Sequence, residues 1–316
     1  MAYTVSRPGQ VNGAGSATAL FLKVFTGEVI TAFERKAVTL DKQLVKTIDS
    51  GISATFPQLG RSTSLNYHTP GTDINATVVN ANEKIINIDG LMYDAKYVAK
   101  IDELENHFDA RSYYVNVMAE NLAMQFDQNV MSEVVLGARA SAMVTGLENG
   151  TVVSDLNLTS ATPATKFTAW KAAILAAAAK LDNAYAGQER YLAVTPDMYY
   201  FLMTNAESNG FSFVNKFFGG EGSVASGSMA NALGFTIVSA PNLPVTDLTA
   251  KAFHGVNAAK TQAIAWVPSA VGTVKVQDIS TEINWIPEKL STLILTSCAM
   301  GHGYLMPGGC IEFVIP

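Results

Sequence analysis

Four histidines, His68, His107, His254 and His302, and two cysteines, Cys298 and Cys310, are the side chains of this 316-residue chain best suited to metal binding or nucleophilic chemistry. Their spacing supports neither. His107 follows Asp102, Glu103 and Glu105, a donor set that a metal could use. No second histidine lies at i+4, however, and acids ahead of a helix are what its dipole favours in any case. His302 stands between Gly301 and Gly303, small flanks that permit close backbone approach, either at a site or at a tight packing turn between strands. The cysteines lack CxxC spacing and are too few for a disulfide framework, so they read as buried thiols of a reducing compartment. The glycine-rich run 217–234 lacks the GK[ST] ending of a phosphate cradle and follows no clear strand, so it reads as a flexible loop. GxSxG, HExxH and GxGxxG are missing too. The sequence therefore nominates no catalytic, cofactor-binding or metal-binding residue, although a dispersed acid pair or triad leaves no trace in spacing.

The elements that would have to position any site begin with 109–140, a stretch with no proline and one glycine, which reads as a single long helix. Tyr114, Met118, Leu122, Phe126, Val130, Val134 and Ala138 recur at i, i+4, and Val117, Met124 and Met131 form a second apolar row. Asp109 is a good N-cap, and Arg139 complements the carbonyl end of the dipole. Such a helix is roughly 45 Å long, and its stripe winds, so it meets different partners along its length. It is the expected girder of the molecule.

Composition sets bounds on partners. Apolar residues are 48% of the chain, enough for a substantial core, while charged residues are only 15%, against about 25% in an ordinary globular chain. A surface so short of charge suits a protein covered by other subunits. The net charge of -6 argues against a protein that grips phosphate, so any contact with nucleic acid should be weak. No apolar run follows a basic start at the N-terminus, and no stretch approaches about 18 apolar residues, so neither a secretory leader nor a membrane span is expected.

Residues 1–17 are rich in Gly, Ser and Ala and cannot order themselves, whereas 19–40 carries Phe21, Phe25 and Phe33 and needs cover from another element or subunit. From Gly51 the period becomes two. Ile52, Ala54 and Phe56 alternate with polar residues, a strand-like run continues through Leu65 and Tyr67, and Pro70–Gly71 make the turn. Ile74, Val78 and Val79 lead back to a strand at 84–89. A hairpin this polar has little core of its own and is expected either to project towards a neighbour or to fold back as an edge. Residues 97–108 read as a short amphipathic piece with Ile101, Leu104 and Phe108, and 141–166 as a connector. Helix 167–185, strand YLAVT, helix 196–206 and strand GFTIVSAP then alternate, so 165–268 looks like an α/β or α+β module. GTVKVQDI, TLILTSCAM and GCIEFVIP are the closing strands.

The order of these pieces resembles the tailed-phage major capsid proteins of the Hong Kong 97 type. The segments ALFLKVFTGEVITAF (19–33), FPQLGR (56–61), EKIINIDGLMYDA (83–95), HFDARSYY (107–114), SAVGTVKV (269–276) and AMGHGYLMP (299–307) are similar to those of T-seven-like short-tailed phages. They span nearly the whole chain. It departs by being shorter around 155–165 and 205–260. The resemblance implies an α+β fold with an N-terminal arm (1–50), an E-loop hairpin (51–82), a P-domain (83–150 and 269–305, with spine helix 109–140) and an A-domain (151–268 and 306–316). It also implies a shell protein rather than an enzyme, without cofactor. Such a protein forms hexamers and pentamers with copies of itself, around a scaffolding protein and with a portal at one vertex, in the host bacterial cytoplasm. The product is a virion capsid enclosing DNA, with a decoration protein an open option. An encapsulin-like compartment shares the shell logic, and an enzyme with a dispersed site is the rival from another class. Candidate intersubunit or arm contacts are Phe21, Phe25, Phe33, Phe56, Arg61, Tyr67, Pro70 and Gly71. Tyr114, Met118, Leu122, Phe126 and Val130 are the expected core of the spine.

Overall fold

The computed structural model describes residues 37–62, 67–71, 73, 74, 76, 78–101, 110–205, 222, 223, 228, 229 and 231–316. Residues 1–36 of the expected arm, with Phe21, Phe25 and Phe33, lie outside these residues, as do Asp109 and His107. In chain order the elements are β1 (Leu44–Thr47), β2 (Ser53–Leu59), β3 (Ala81–Asn87), β4 (Met92–Ala99), α1 (Ala110–Ala138), β5 (Thr151–Ser154), α2 (Pro163–Asn183), β6 (Tyr191–Val194) and α3 (Pro196–Thr204). There follow the two-residue strands β7 (Gly222–Ser223), β8 (Ser228–Met229) and β9 (Asn231–Ala232), then β10 (Phe235–Ser239), β11 (Thr261–Trp266), β12 (Val271–Ile286), β13 (Ser291–Tyr304) and β14 (Cys310–Val314). Helices and strands mix without strict alternation, so the class is α+β.

The chain divides into two compact units. One holds 89–126 and 276–300. In it β4 runs antiparallel to β13, from Ser291 opposite Ala99 to Cys298 opposite Met92, and Val98, Met118 and Ile294 close a small core. β4 takes the first three residues, Tyr97–Ala99, of the amphipathic piece expected at 97–108, because they meet a sheet partner almost two hundred residues on; Lys100 and Ile101 are helical, and 102–108 lie outside the described residues.

The larger unit holds 38–88, 127–275 and 301–316. Its centre is a six-stranded sheet of order β5-β14-β11-β6-β10-β9. On it lies α2, whose Phe167, Trp170, Ile174 and Leu181 are buried against Leu192, Phe235 and Phe313. Proline at the first helical position starts both α2 and α3, after Thr162 and Thr195, where its missing N–H costs nothing. The connector expected at 141–166 contains β5, which pairs in parallel with β14. β11 was not expected at all. TQAIAW sits between β14 and β6 and is buried along nearly its whole length, so it lacks the alternation that marks a half-exposed strand. β12 and β13 extend well beyond the segments expected from periodicity and turn through Pro287–Lys289.

α1 is one helix of 29 residues, roughly 44 Å long. From Phe126 to Ala138 nearly every residue is buried, including Asp127, Ser132 and Glu133. Each of these finds a partner: Ser132 donates to the carbonyl of Gln128 at 2.8 Å, and the two carboxylates accept hydrogen bonds described below. Arg139 does more than face the helix dipole. Its Nε and Nη2 grip the buried carboxylate of Glu312 at 2.7 and 2.6 Å, and that bonding raises its pKa.

Candidate assembly surface

β2 and β3 form a two-stranded ribbon in strict antiparallel register, Ser53 opposite Asn87 and Leu59 opposite Ala81. Because side chains alternate, the ribbon has two faces. Ala54, Phe56 and Ile86 point inward and pack with Val274 and Leu305. Phe56 is therefore a correction to the expected intersubunit contacts. It is 7% exposed, and its ring belongs to the chain's own core rather than to a neighbour. The other face is bare: Leu59 is 72% exposed and Ile85 50%. The expectation of a polar hairpin overlooked this face because its apolar residues are interleaved with Thr55, Pro57 and Glu83 in the sequence.

The root of the ribbon is held to the larger unit. Gln58 Nε2 donates to the carbonyl of Leu305, and Asn82 Nδ2 to that of Met143 at 3.3 Å. A Cβ at Gly60 would lie 2.8 Å from the Asn80 carbonyl oxygen and from Val144 Cγ1, so only glycine lets the chains meet there. Arg61 stacks on Tyr185 and donates to the carbonyl of Ala184. Beyond this root the ribbon gives way to a loop. Tyr67 is 95% exposed, and Pro70 and Gly71 form an exposed turn with Gly71 at φ +92°. Among the described residues Tyr67, Ile74 and Val79 lie outside any strand, Leu65 of the expected run lies outside the described residues, and pairing with β2 is described from Ala81.

Among the spine residues, Met118, Leu122, Phe126 and Val130 are buried, and Tyr114 lies within α1. Sequence reasoning missed the polar groups between them. Glu133 Oε1 is 2.8 Å from His254 Nδ1, and its Oε2 accepts the N–H of Tyr304 at 3.1 Å. His254 meets His302 edge-on, with centroids 5.4 Å apart, and His302 Nδ1 is 2.9 Å from Thr273 Oγ1. Burial, helped by the charges of His254 and Lys275, lowers the pKa of His302 to about 3, so its ring is neutral at pH 7. The glycines beside it serve packing. A Cβ at Gly301 would stand 2.1 Å from the Asn87 carbonyl oxygen, and one at Gly303 would stand 2.9 Å from Ile86 Cγ1.

Both rings are buried, and the histidines form a structural joint between α1 and the strands around it. Both cysteines are buried and outside any disulfide, and burial raises the pKa of Cys310, the opposite of what a nucleophile needs. Among the described residues no three His, Cys, Asp or Glu side chains gather in a way that could hold a metal, and no helix is long and apolar enough to cross a membrane.

Residues 55–314 match the model of the family described as Gp10A-like, major capsid protein. The chain belongs to that family. It is 32% identical to the major capsid protein of Escherichia phage T7 over 96% of this chain and 95% of that one. The capsid structure of cyanophage P-SCSP1u superposes with a TM-score of 0.79 at 33% identity, covering 99% of each chain. The mature capsid subunit of bacteriophage PhiM1 has the same fold, with a TM-score of 0.75 at 16% identity over 99% of both chains. The architecture is the Hong Kong 97-type capsid fold, and the role that goes with it is shell formation. In a capsid protein, an apolar face with no cover within the subunit is a place for another subunit.

Proposed function

We propose that the chain assembles as hexamers and pentamers into the icosahedral shell of a phage head that encloses the DNA genome, a structural role without catalysis. The observation that carries the detail is the bare outer face of the β2–β3 ribbon. Leu59 and Ile85 are half or more exposed on an element whose other face is already buried, which favours cover by a partner from outside. In this reading 51–82 is the E-loop, with Arg61, Tyr67, Pro70 and Gly71 near its contacts, and 1–50 is the arm. The division into a P-domain (83–150 and 269–305) and an A-domain (151–268 and 306–316) belongs to the same reading. A scaffolding protein guides assembly in the bacterial cytoplasm, a portal occupies one vertex, and the finished shell belongs to the virion. The net charge of -6 keeps the wall from gluing the packaged DNA, which it touches weakly and without specificity.

Electron microscopy of the purified chain, alone and with scaffold, tests the reading: closed shells or rings support it. Leu59→Ser with Ile85→Ser should leave the subunit folded and abolish closed shells. Wild-type yields of shells from the double variant would remove the ribbon's outer face from the interface.

A further inference from the structure

The described chain begins beside the middle of the spine helix. The buried carboxylate of Asp127 accepts the N–H of Val38 at 2.8 Å, the N–H of Thr39 at 3.0 Å and the hydroxyl of Thr39 at 2.7 Å. Two further ties follow within a few residues. Trp266 Nε1 donates to the carbonyl of Lys42 at 2.8 Å, and Thr273 Oγ1 is 2.7 Å from Gln43 Oε1. Then β1 pairs in parallel with β12, Leu44 opposite Gly272. Residues 38–47 are thus strapped to α1, β11 and β12 in turn, and Thr39, Gln43, Asp127 and Thr273 are all buried.

A buried carboxylate satisfied by three donors is costly to disturb, because opening the clamp leaves its oxygens without those partners. The only other business of Asp127 would be packing, which a carboxylate does poorly. We propose that Asp127 is a positioning residue for assembly: it pins the root of the N-terminal segment at one point on the spine, so that any exchange of partners by that segment is confined to residues ahead of Val38. The assembly half of this inference rests on the shell function proposed above. The clamp itself does not.

The test is amide hydrogen exchange on the full chain, as unassembled subunits and as shells, for wild type, Asp127→Asn and Thr39→Val. In wild type the amides of 38–47 should be protected to the same degree, within about threefold, in subunits and shells. Asp127→Asn should speed exchange of Val38 and Thr39 in the subunit by about tenfold or more and leave β6, β11 and β14 unchanged. Its shell yield should fall by at least about tenfold, with irregular particles. Thr39→Val removes one donor and keeps both backbone ones, so it should give a smaller change in the same direction, and it carries the test if Asp127→Asn does not fold. Protection of 38–47 that differs strongly between subunits and shells would overturn the proposal, as would Asp127→Asn that loosens Val38 yet assembles like wild type. If wild type formed no shells, the shell reading would fail while the subunit exchange still decided whether Asp127 holds the root.

Discussion

The guanidinium of Arg61 lies 4.4 Å from the ring centroid of Tyr185, and Tyr185 itself sits in the left-handed region at φ 50°. The pair joins the root of the β2–β3 ribbon to the end of α2. An aromatic residue in that conformation costs about 1 kcal/mol or more, while an exposed cation–π contact contributes about 0.5–1 kcal/mol, so the two nearly cancel. Tyr185→Gly should therefore unfold in urea within about 1 kcal/mol of wild type. It should nevertheless expose 60–80 to limited proteolysis several-fold faster. An unchanged cleavage rate would mean that Gln58 and Asn82 hold the root unaided.

Phe126 is buried on α1 where the helix becomes enclosed on every side. Phe126→Ala should cost about 3–5 kcal/mol in urea unfolding of an assembly-blocked subunit. A loss below about 1 kcal/mol would show that its surroundings collapse into the space.

Gly301 carries a sharper constraint. A Cβ there would meet the carbonyl oxygen of Asn87 at 2.1 Å and Ile88 Cα at 2.9 Å, both backbone atoms that no rotamer change can move. Gly301→Ala should therefore destabilise the subunit by about 3 kcal/mol or more, measured by thermal or urea denaturation. Gly71→Ala isolates backbone strain from crowding, since its φ is +92° while nothing lies within 4 Å of its Cβ position.

His302 makes stability depend on pH. Its pKa of about 3 in the folded chain lies below the unfolded value near 6.5, so below that value the unfolded chain binds the extra proton. The stability due to the neutral ring is complete above about pH 6.5 and drains away as pH falls towards 3. Between pH 6.5 and 5 wild type should lose about 1.5 kcal/mol more than His302→Gln in urea unfolding. Glu133, His254 and Lys275 surround the joint in both proteins, so equal slopes would assign the acid sensitivity to them.

What could be read without coordinates followed from local rules. Threonine before proline marked the start of α3, the apolar stripe from Phe167 marked α2 although that helix begins earlier, at Pro163, and YLAV and FTIVS, bounded by turn residues, became β6 and β10. The spine announced itself through its i, i+4 row. What escaped depends on partners far along the chain. TQAIAW has no period because it is buried from both sides. The two faces of the ribbon separate only when the register of Thr55 with Ile85 is known. Asp127 looked like an ordinary polar residue on a helix, and its role appears only when Thr39, 88 residues earlier, is laid against it. Nothing in the spacing of His254 and His302 foretold that they would meet.

The strand order of the six-stranded sheet has a consequence for synthesis on the ribosome. β5, translated near residue 151, has β14 as its neighbour in the sheet, and β14 is translated about 160 residues later. At roughly 5–20 residues per second the early strand waits many seconds for its mate. Until Cys310–Val314 arrive, β11 also lacks one of its two flanks and the buried Glu312 is not there for Arg139 to grip. A chain that stops short of Cys310 thus lacks both the strand that lies between β5 and β11 and the carboxylate that Arg139 grips, so the last strand to be made is the one that joins the earliest strand of this sheet to the rest of it.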